Sequence, residues 1–229
     1  MRKAVIFANG IPAPTATPHS FITPGVAIIC ADGGAQHALA LGLMPEVVVG
    51  DLDSLSGEAQ ATLVARGVEL IRHPVKKDQT DLELAFSVAI ARGATEILLL
   101  TALGGRLDQQ LANILLLARP EWQSARLGLA EGNQLAWLLR GPDELRLSGR
   151  PGDIFSFIPL SPTVQGLDLE NVEWPLQNAT VLFGSTLTIS NTFLEPQVTV
   201  RIKTGFGLAV QIALEDVSAG APGLQGGLS

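Results

Sequence analysis

Ile97, Leu98, Leu99 and Leu100 form an almost unbroken apolar run. A strand without a polar face must be covered on both sides, which is the condition of a strand inside a parallel sheet flanked by helices. Lys3 to Ala8, Val26 to Cys30 and Val47 to Val49 have the same character. Between these runs lie stretches with helical spacing, around Ala35 to Leu41, Glu58 to Arg66, Thr80 to Ile90 and Leu107 to Ala118, and a short strand from Val68 to Arg72. Alternation of strand and helix over roughly the first 125 residues predicts an α/β fold with an N-terminal open, mostly parallel sheet and flanking helices.

After Pro120 the pattern changes. Arg126 to Ala130 and Leu135 to Leu139 read as short strands, and turn residues then come often, at Gly141-Pro142, Gly149, Pro151-Gly152, Ser161-Pro162, Gly166, Asn178 and Gly184. Between them lie brief runs at Ile154 to Ile158, Ala179 to Phe183, Leu187 to Ile189 and Val198 to Ile202, with Leu208 to Leu214 as a closing strand. Such spacing predicts an all-β sandwich or barrel. The expected organisation is an α/β domain over 1–140, a β-sandwich domain over 141–216, and a Gly-, Ala- and Ser-rich tail over 217–229.

A chain of 229 residues with 47% hydrophobic and 16% charged residues can bury a substantial core. Its formal charge of -7 lacks the basic footprint that nucleic acid or an anionic membrane surface requires. If the ligand is a polyphosphate, a metal must bring it in. Cys30 is the single cysteine and lies in an apolar run, so the expectation is a buried thiol in a reducing compartment, the cytoplasm. The apolar run after Arg2 and Lys3 covers only Ala4 to Ala8, below the roughly 7 to 15 residues of a secretory signal. No stretch approaches the ~18 apolar residues of a membrane span.

The residues that carry chemistry follow the strands. Gly50-Asp51-Leu52-Asp53-Ser54 ends the valine strand, and alternation along an extended segment would aim Asp51 and Asp53 the same way. Two carboxylates in one small volume repel unless a cation lies between them, and Mg²⁺ takes one or two protein carboxylates together with waters and substrate phosphates. Capping of the next helix is the plainer role for either aspartate. Asp32, Gly33 and Gly34 stand at a strand-to-helix turn, where small residues let a ligand approach backbone and a helix N-terminus favours anions; a turn or cap role is the alternative for Asp32. Asp78 and Asp81 flank Thr80, which with Glu83 matches a capping box. Gly104 and Gly105 precede Arg106 and Asp108; a guanidinium behind two glycines suits a phosphate oxygen, and an Arg106 to Asp108 surface pair is the alternative. His37 reads as a residue of the helix surface, and His19 as one of a proline-rich loop. In open α/β sheets ligands bind beyond the carboxyl ends of the strands, so Asp32, Asp51, Asp53, Asp78, Asp81 and Arg106 are expected to converge there. There is no Gly-x-x-x-x-Gly-Lys-[Ser/Thr], which excludes an ordinary P-loop.

Ala31-Asp32-Gly33-Gly34-Ala35, Gly50-Asp51-Leu52-Asp53-Ser54, Lys77-Asp78-Gln79-Thr80-Asp81-Leu82-Glu83, Leu103-Gly104-Gly105-Arg106-Leu107-Asp108, Trp174-Pro175-Leu176 and Ile189-Ser190-Asn191, in that order, resemble the thiamine pyrophosphokinase (thiamine diphosphokinase) family over about residues 3 to 213. The resemblance implies transfer of a diphosphoryl group from ATP to the hydroxyl of thiamine, leaving AMP. It implies an ATP-binding α/β domain, a thiamine-binding sandwich, and a homodimer with the active site between subunits. It further implies Mg²⁺ on Asp51, Asp53 and Asp81. Asp32 and Arg106 would lie beside the nucleotide, with Gly33, Gly34, Thr80, Gly104 and Gly105 around it. Asp78 and Asp108 would stand near the transferring group or thiamine, Ser190 and Asn191 against the aminopyrimidine, and Trp174 at the thiamine end. Family members often carry Glu after the Ser-Asn pair, where this chain has Thr192. The other readings are a diphosphokinase for a related heterocyclic alcohol, such as a hydroxymethylpterin, and a nucleotide-binding sensor without catalysis.

Overall fold

The computed structural model describes residues 2–13, 21–76 and 78–214; His19, Lys77 and the tail at 217–229 lie outside them. The first unit runs β1 (Arg2–Phe7), β2 (Ala27–Ala31), α1 (Gly34–Ala40), β3 (Val47–Gly50), α2 (Gly57–Ala65), β4 (Glu69–Arg72), α3 (Asp81–Ala91), β5 (Ala94–Leu100), α4 (Leu107–Leu116) and β6 (Arg126–Glu131). Its strands are parallel in the order β4-β3-β2-β1-β5-β6. Alternate side chains go to opposite faces. Ile6, Ile29, Val49 and Leu99 pack against Phe86 and Ala89 of α3, whereas Phe7, Cys30, Val48 and Leu98 pack against Ala35 and Ala38 of α1 and Leu63 of α2. Coverage of both faces explains the unbroken apolar runs. Phe86 stacks on Trp122 with ring centroids 5.8 Å apart, and full burial of such a side chain contributes about 1.5–3 kcal/mol.

The sheet does not stop where the helices do. β7 (Gln134–Arg140) pairs antiparallel with β6, and β14 (Phe206–Ile212), β9 (Ile154–Pro159) and β12 (Asn191–Thr192) follow, giving ten strands in one sheet. β8 (Asp143–Ser148), β10 (Thr163–Glu170), β11 (Leu176–Leu182) and β13 (Gln197–Ile202) form a second sheet of four antiparallel strands. Phe155, Phe157, Leu139 and Ala209 from the first sheet meet Leu145, Val164, Leu167, Val198 and Val200 from the second, which makes the expected sandwich core.

Three features of the sandwich depart from expectation. Asn178, read above as a turn, lies inside β11 with φ +47°, opposite a slip in the register. Leu187 to Ile189 is turn, and the paired residues are Asn191 and Thr192. The long β10 runs through Gly166, read above as a turn; the register slips there, Gly166 has φ +66°, and Lys203 side-chain atoms lie 2.5 Å from where a Cβ would stand. A bulge accounts for a glycine inside a strand.

Candidate active site

Asp51 and Asp53 come together through a backbone feature different from the one expected. β3 ends at Gly50, and Leu52 takes a left-handed conformation, φ +64°, with its side chain fully buried. A bulky residue rarely adopts that conformation; here burial of Leu52 holds the turn, and the Asp53 N–H donates to Asp51 Oδ1 (3.2 Å). Neither aspartate caps α2, because the Ser56 hydroxyl accepts from the Ala59 N–H (3.1 Å). Asp32, at φ +44°, is anchored by its N–H to the Val49 carbonyl (2.8 Å) and accepts from the Ser54 hydroxyl.

Asp32, Asp51 and Asp53 can each offer a carboxylate oxygen so that all three lie within 4.8 Å of one another. The Asp53 carboxyl is pushed above its ordinary range, chiefly by the charge of Asp51 and then by desolvation and Asp32. Asp32 Oδ1 is buried and has no hydrogen-bond partner among the described residues. Mutual repulsion and a buried, unsatisfied anionic oxygen fit a hard divalent cation such as Mg²⁺. Asp81, first residue of α3, stands beside this group: a Cβ on Gly50 would lie 3.0 Å from Asp32 Cβ and 3.1 Å from Asp81 Cγ. Glycine at position 50 lets these two side chains approach across it without displacement.

A cavity of about 790 Å³ opens on this rim, lined by Asp32, Asp51, Thr80, Asp81, Gly104, Gly105, Arg106 and Asp108, with Asn9, Ile11 and Asn113. Thr80 caps α3, its hydroxyl accepting from the Glu83 N–H (3.2 Å); the Glu83 carboxylate turns instead to Gln79 Nε2 (2.9 Å) and to Arg119. Gly104 and Gly105, at φ +79° and +76°, form the turn before α4. The exposed Arg106 guanidinium donates to both oxygens of Asp108 (3.1 and 2.5 Å). Bonding to Arg106 holds the Asp108 carboxyl below its usual range.

Residues 20–129 match the profile described as "Thiamin pyrophosphokinase, catalytic domain", and residues 144–207 match "Thiamin pyrophosphokinase, vitamin B1 binding domain". A protein of Bacillus subtilis named thiamine pyrophosphokinase is 29% identical over 181 residues, covering 79% of this chain and 84% of its own. Thiamine pyrophosphokinase 1 of Oryza sativa subsp. japonica is 27% identical over 212 residues, covering 82% and 79%. The crystal structure of the Bacillus subtilis thiamine pyrophosphokinase superposes with a TM-score of 0.82 at 26% identity, over 93% of this chain and 100% of that one. The chain belongs to the thiamine pyrophosphokinase family.

The residues singled out from this family's motifs do not all meet at the cavity. Asp32, Asp51, Asp81, Thr80, Gly104, Gly105, Arg106 and Asp108 line the cavity, and Asp53 adjoins it through the acidic group. Gly33 and Gly34 are not among its lining residues: the space their Cβ atoms would need is filled by the Asn9 side chain (2.4 Å) and the Phe7 carbonyl (2.1 Å), so the close approach they permit is to the end of β1 and the residues just after it. Asp78 is exposed and outside the cavity lining. Trp174, Ser190 and Asn191 stand on the sandwich. Trp174 is exposed, Ser190 has φ +60° and its N–H donates to Ser156 Oγ (3.0 Å), and Asn191 is buried with its carboxamide turned to the Trp174 backbone. Asn9, Ile11 and Asn113 were not singled out by the sequence; Asn113 Nδ2 donates to the Ala102 carbonyl (2.7 Å), and its place on the polar face of α4 was the available signal. His37, expected on the surface, is half-buried with Nε2 3.0 Å from the Gly10 carbonyl.

Proposed function

We propose that the chain is a thiamine diphosphokinase: the hydroxyl oxygen of thiamine attacks the β-phosphorus of ATP, the bond from that phosphorus to the α,β-bridging oxygen breaks, and AMP leaves. The observation that carries this reading is the meeting of Asp32, Asp51 and Asp53 at the mouth of a cavity that also holds Arg106 and Asp108. Asp51 and Asp53, with Asp32 and Asp81 beside them, are the residues to hold Mg²⁺, which when bound neutralises and orients phosphate oxygens. Arg106 stabilises charge on the transferring group. Its present partner is Asp108, so engagement of Arg106 with phosphate frees that carboxylate to take the hydroxyl proton. Asp108 is preferred to Asp78 for this role because it lines the cavity. Trp174, Ser190 and Asn191 belong to the thiamine end.

A homodimer with a shared active site is part of the proposal. β12 and β5, the strand that leads to Arg106 and Asp108, stand five places apart in the strand order, on the order of 24 Å across the sheet at the usual ~4.8 Å spacing. That separation supports a thiamine end supplied by a second copy. α4 supports it too, since Leu107, Leu111 and Leu115 are exposed at intervals of one turn. The 140/141 division into ATP-binding and thiamine-binding units, and residence in the cytoplasm, complete the reading; the second rests on the lone buried Cys30, and no helix among the described residues is long and apolar enough to cross a membrane.

Release of AMP from Mg·ATP, measured with thiamine and separately with a hydroxymethylpterin, tests the reaction. Turnover with thiamine alone is expected. Turnover with the pterin alone would replace the substrate, and tight Mg·ATP binding with no AMP from either alcohol would favour a sensor.

A further inference from the structure

Two side chains outside the cavity hold the segment that walls it. Beyond β1 the chain continues beside the loop that follows β5: the Gly10 N–H donates to the Thr101 carbonyl (2.8 Å) and the Ile11 N–H to the Leu103 carbonyl (2.9 Å). Asn9, Gly10 and Ile11 thereby line the cavity next to Gly104 and Gly105. A Cβ on Gly104 would stand 2.6 Å from the Ile11 carbonyl oxygen and 2.9 Å from Ile11 Cβ. The seat of Ile11 and the shape of the Gly104–Gly105 turn are therefore set together, and that turn delivers Arg106.

Both ends of this wall are tied by side chains from other elements. His37 of α1, with its proton on Nε2, donates to the Gly10 carbonyl (3.0 Å). Glu131, the last residue of β6, accepts from the Ala13 N–H through Oε1 (2.7 Å). Glu131 is 8% exposed, and Oε2 has no hydrogen-bond partner among the described residues. Burying a carboxylate for one amide hydrogen bond is a net cost to the fold. Neither His37 nor Glu131 lines the cavity.

We propose that Glu131 and His37 are positioning residues that hold residues 9–13, of which Asn9, Gly10 and Ile11 wall the nucleotide side, and through the Gly104–Gly105 turn govern affinity for the triphosphate. This rests on reading the cavity as the ATP site.

The test compares Glu131→Ala, Glu131→Gln and His37→Ala in the full chain by Mg·ATP binding, steady-state kinetics, amide hydrogen exchange and thermal melting. Glu131→Ala is expected to raise Kd and KM for ATP by roughly fivefold or more, with kcat and the thiamine KM within about twofold, and to speed exchange in the peptide holding Ile11 and Ala13. Glu131→Gln keeps an acceptor for the Ala13 N–H and is expected to match the unaltered chain. His37→Ala is expected to raise the ATP KM in the same selective way, and carries the test if Glu131→Ala does not fold. Unchanged ATP affinity in the alanine variants overturns the proposal, as does a glutamine variant as weak as the alanine one. Equal losses in kcat and both KM values, with a lower melting temperature, would mark a general structural role and also overturn it. If the unaltered chain binds no Mg·ATP, the reading of the cavity falls and the proposal with it; the exchange comparison separates that failure from a wall that Glu131 does not hold.

Discussion

Asn191 grips the backbone of Trp174 at both of its polar groups: Oδ1 accepts from the Trp174 N–H (3.0 Å) and Nδ2 donates to the Trp174 carbonyl (2.8 Å). Oδ1 also accepts from the Thr192 N–H (2.9 Å), and the residue is 3% exposed. Its carboxamide is occupied in holding an exposed indole at a set height above the sandwich. Asn191→Ala should raise the thiamine KM by roughly 10-fold or more and leave the ATP KM unchanged, since a buried pair of hydrogen bonds of ~1–3 kcal/mol is lost. Asn191→Asp should not restore it, because an acceptor would then face the Trp174 carbonyl. Steady-state kinetics on both substrates checks this.

Asp51→Asn and Asp53→Asn are each expected to lower turnover by about 100-fold or more, as loss of a positioned electrostatic contact does in other active sites. Stability should move the other way. Asp51 raises the folded-state pKa of Asp53 above its unfolded value, so the fold retains that proton to higher pH than the unfolded chain does. Without metal, stability then falls as pH rises through the folded pKa, opposite in sign to a salt-bridged carboxylate. Asp108, Glu121 and Glu144, held below the usual range by arginines, pull the other way, so the contribution is read as a difference: in a chelating buffer, melting curves of Asp53→Asn should gain stability relative to the unaltered chain as pH rises through the acid range.

Gly50→Ala combines φ +154° with a methyl 3.0 Å from Asp32 Cβ and 3.1 Å from Asp81 Cγ. A loss of about 1–3 kcal/mol in urea unfolding is expected, together with loss of activity as the two carboxylates are pushed apart.

Leu111→Glu puts a charge in the middle of the exposed α4 stripe. If that stripe meets a second copy, sedimentation should report a monomer that still binds Mg·ATP but no longer turns over thiamine. An active monomer would remove the shared site.

Burial pushes the Cys30 thiol far above its ordinary pKa. The thiolate is the reactive form, so an aromatic disulfide reagent should find no reactive thiol in the native chain and one after denaturation.

Ile97 to Leu100 carried the parallel sheet legibly, because a strand without a polar face admits few environments. The acidic rim was legible for a related reason: a βα loop after each such strand opens at the same edge. What sequence could not supply was local backbone shape. Asp51 and Asp53 meet because Leu52 is left-handed and buried, and nothing in a leucine announces that conformation. Gly166 looked like a turn because a bulge and a turn ask for the same residue. Leu187 to Ile189 has strand composition, but only Thr188 meets β9, through Phe157, and the apolar side chains on either side of it are exposed. His37 gave no sign of its partner, which arrives from a distant part of the chain.

The unbroken pairing from β5 through β6, β7 and β14 has a mechanical consequence. A beam of cross-strand bonds joins the acidic rim to the sandwich, so the halves of one chain cannot swing about a hinge without tearing a ladder. Any opening and closing around a small molecule is then left to the loops that follow the strands, not to the two halves of the chain.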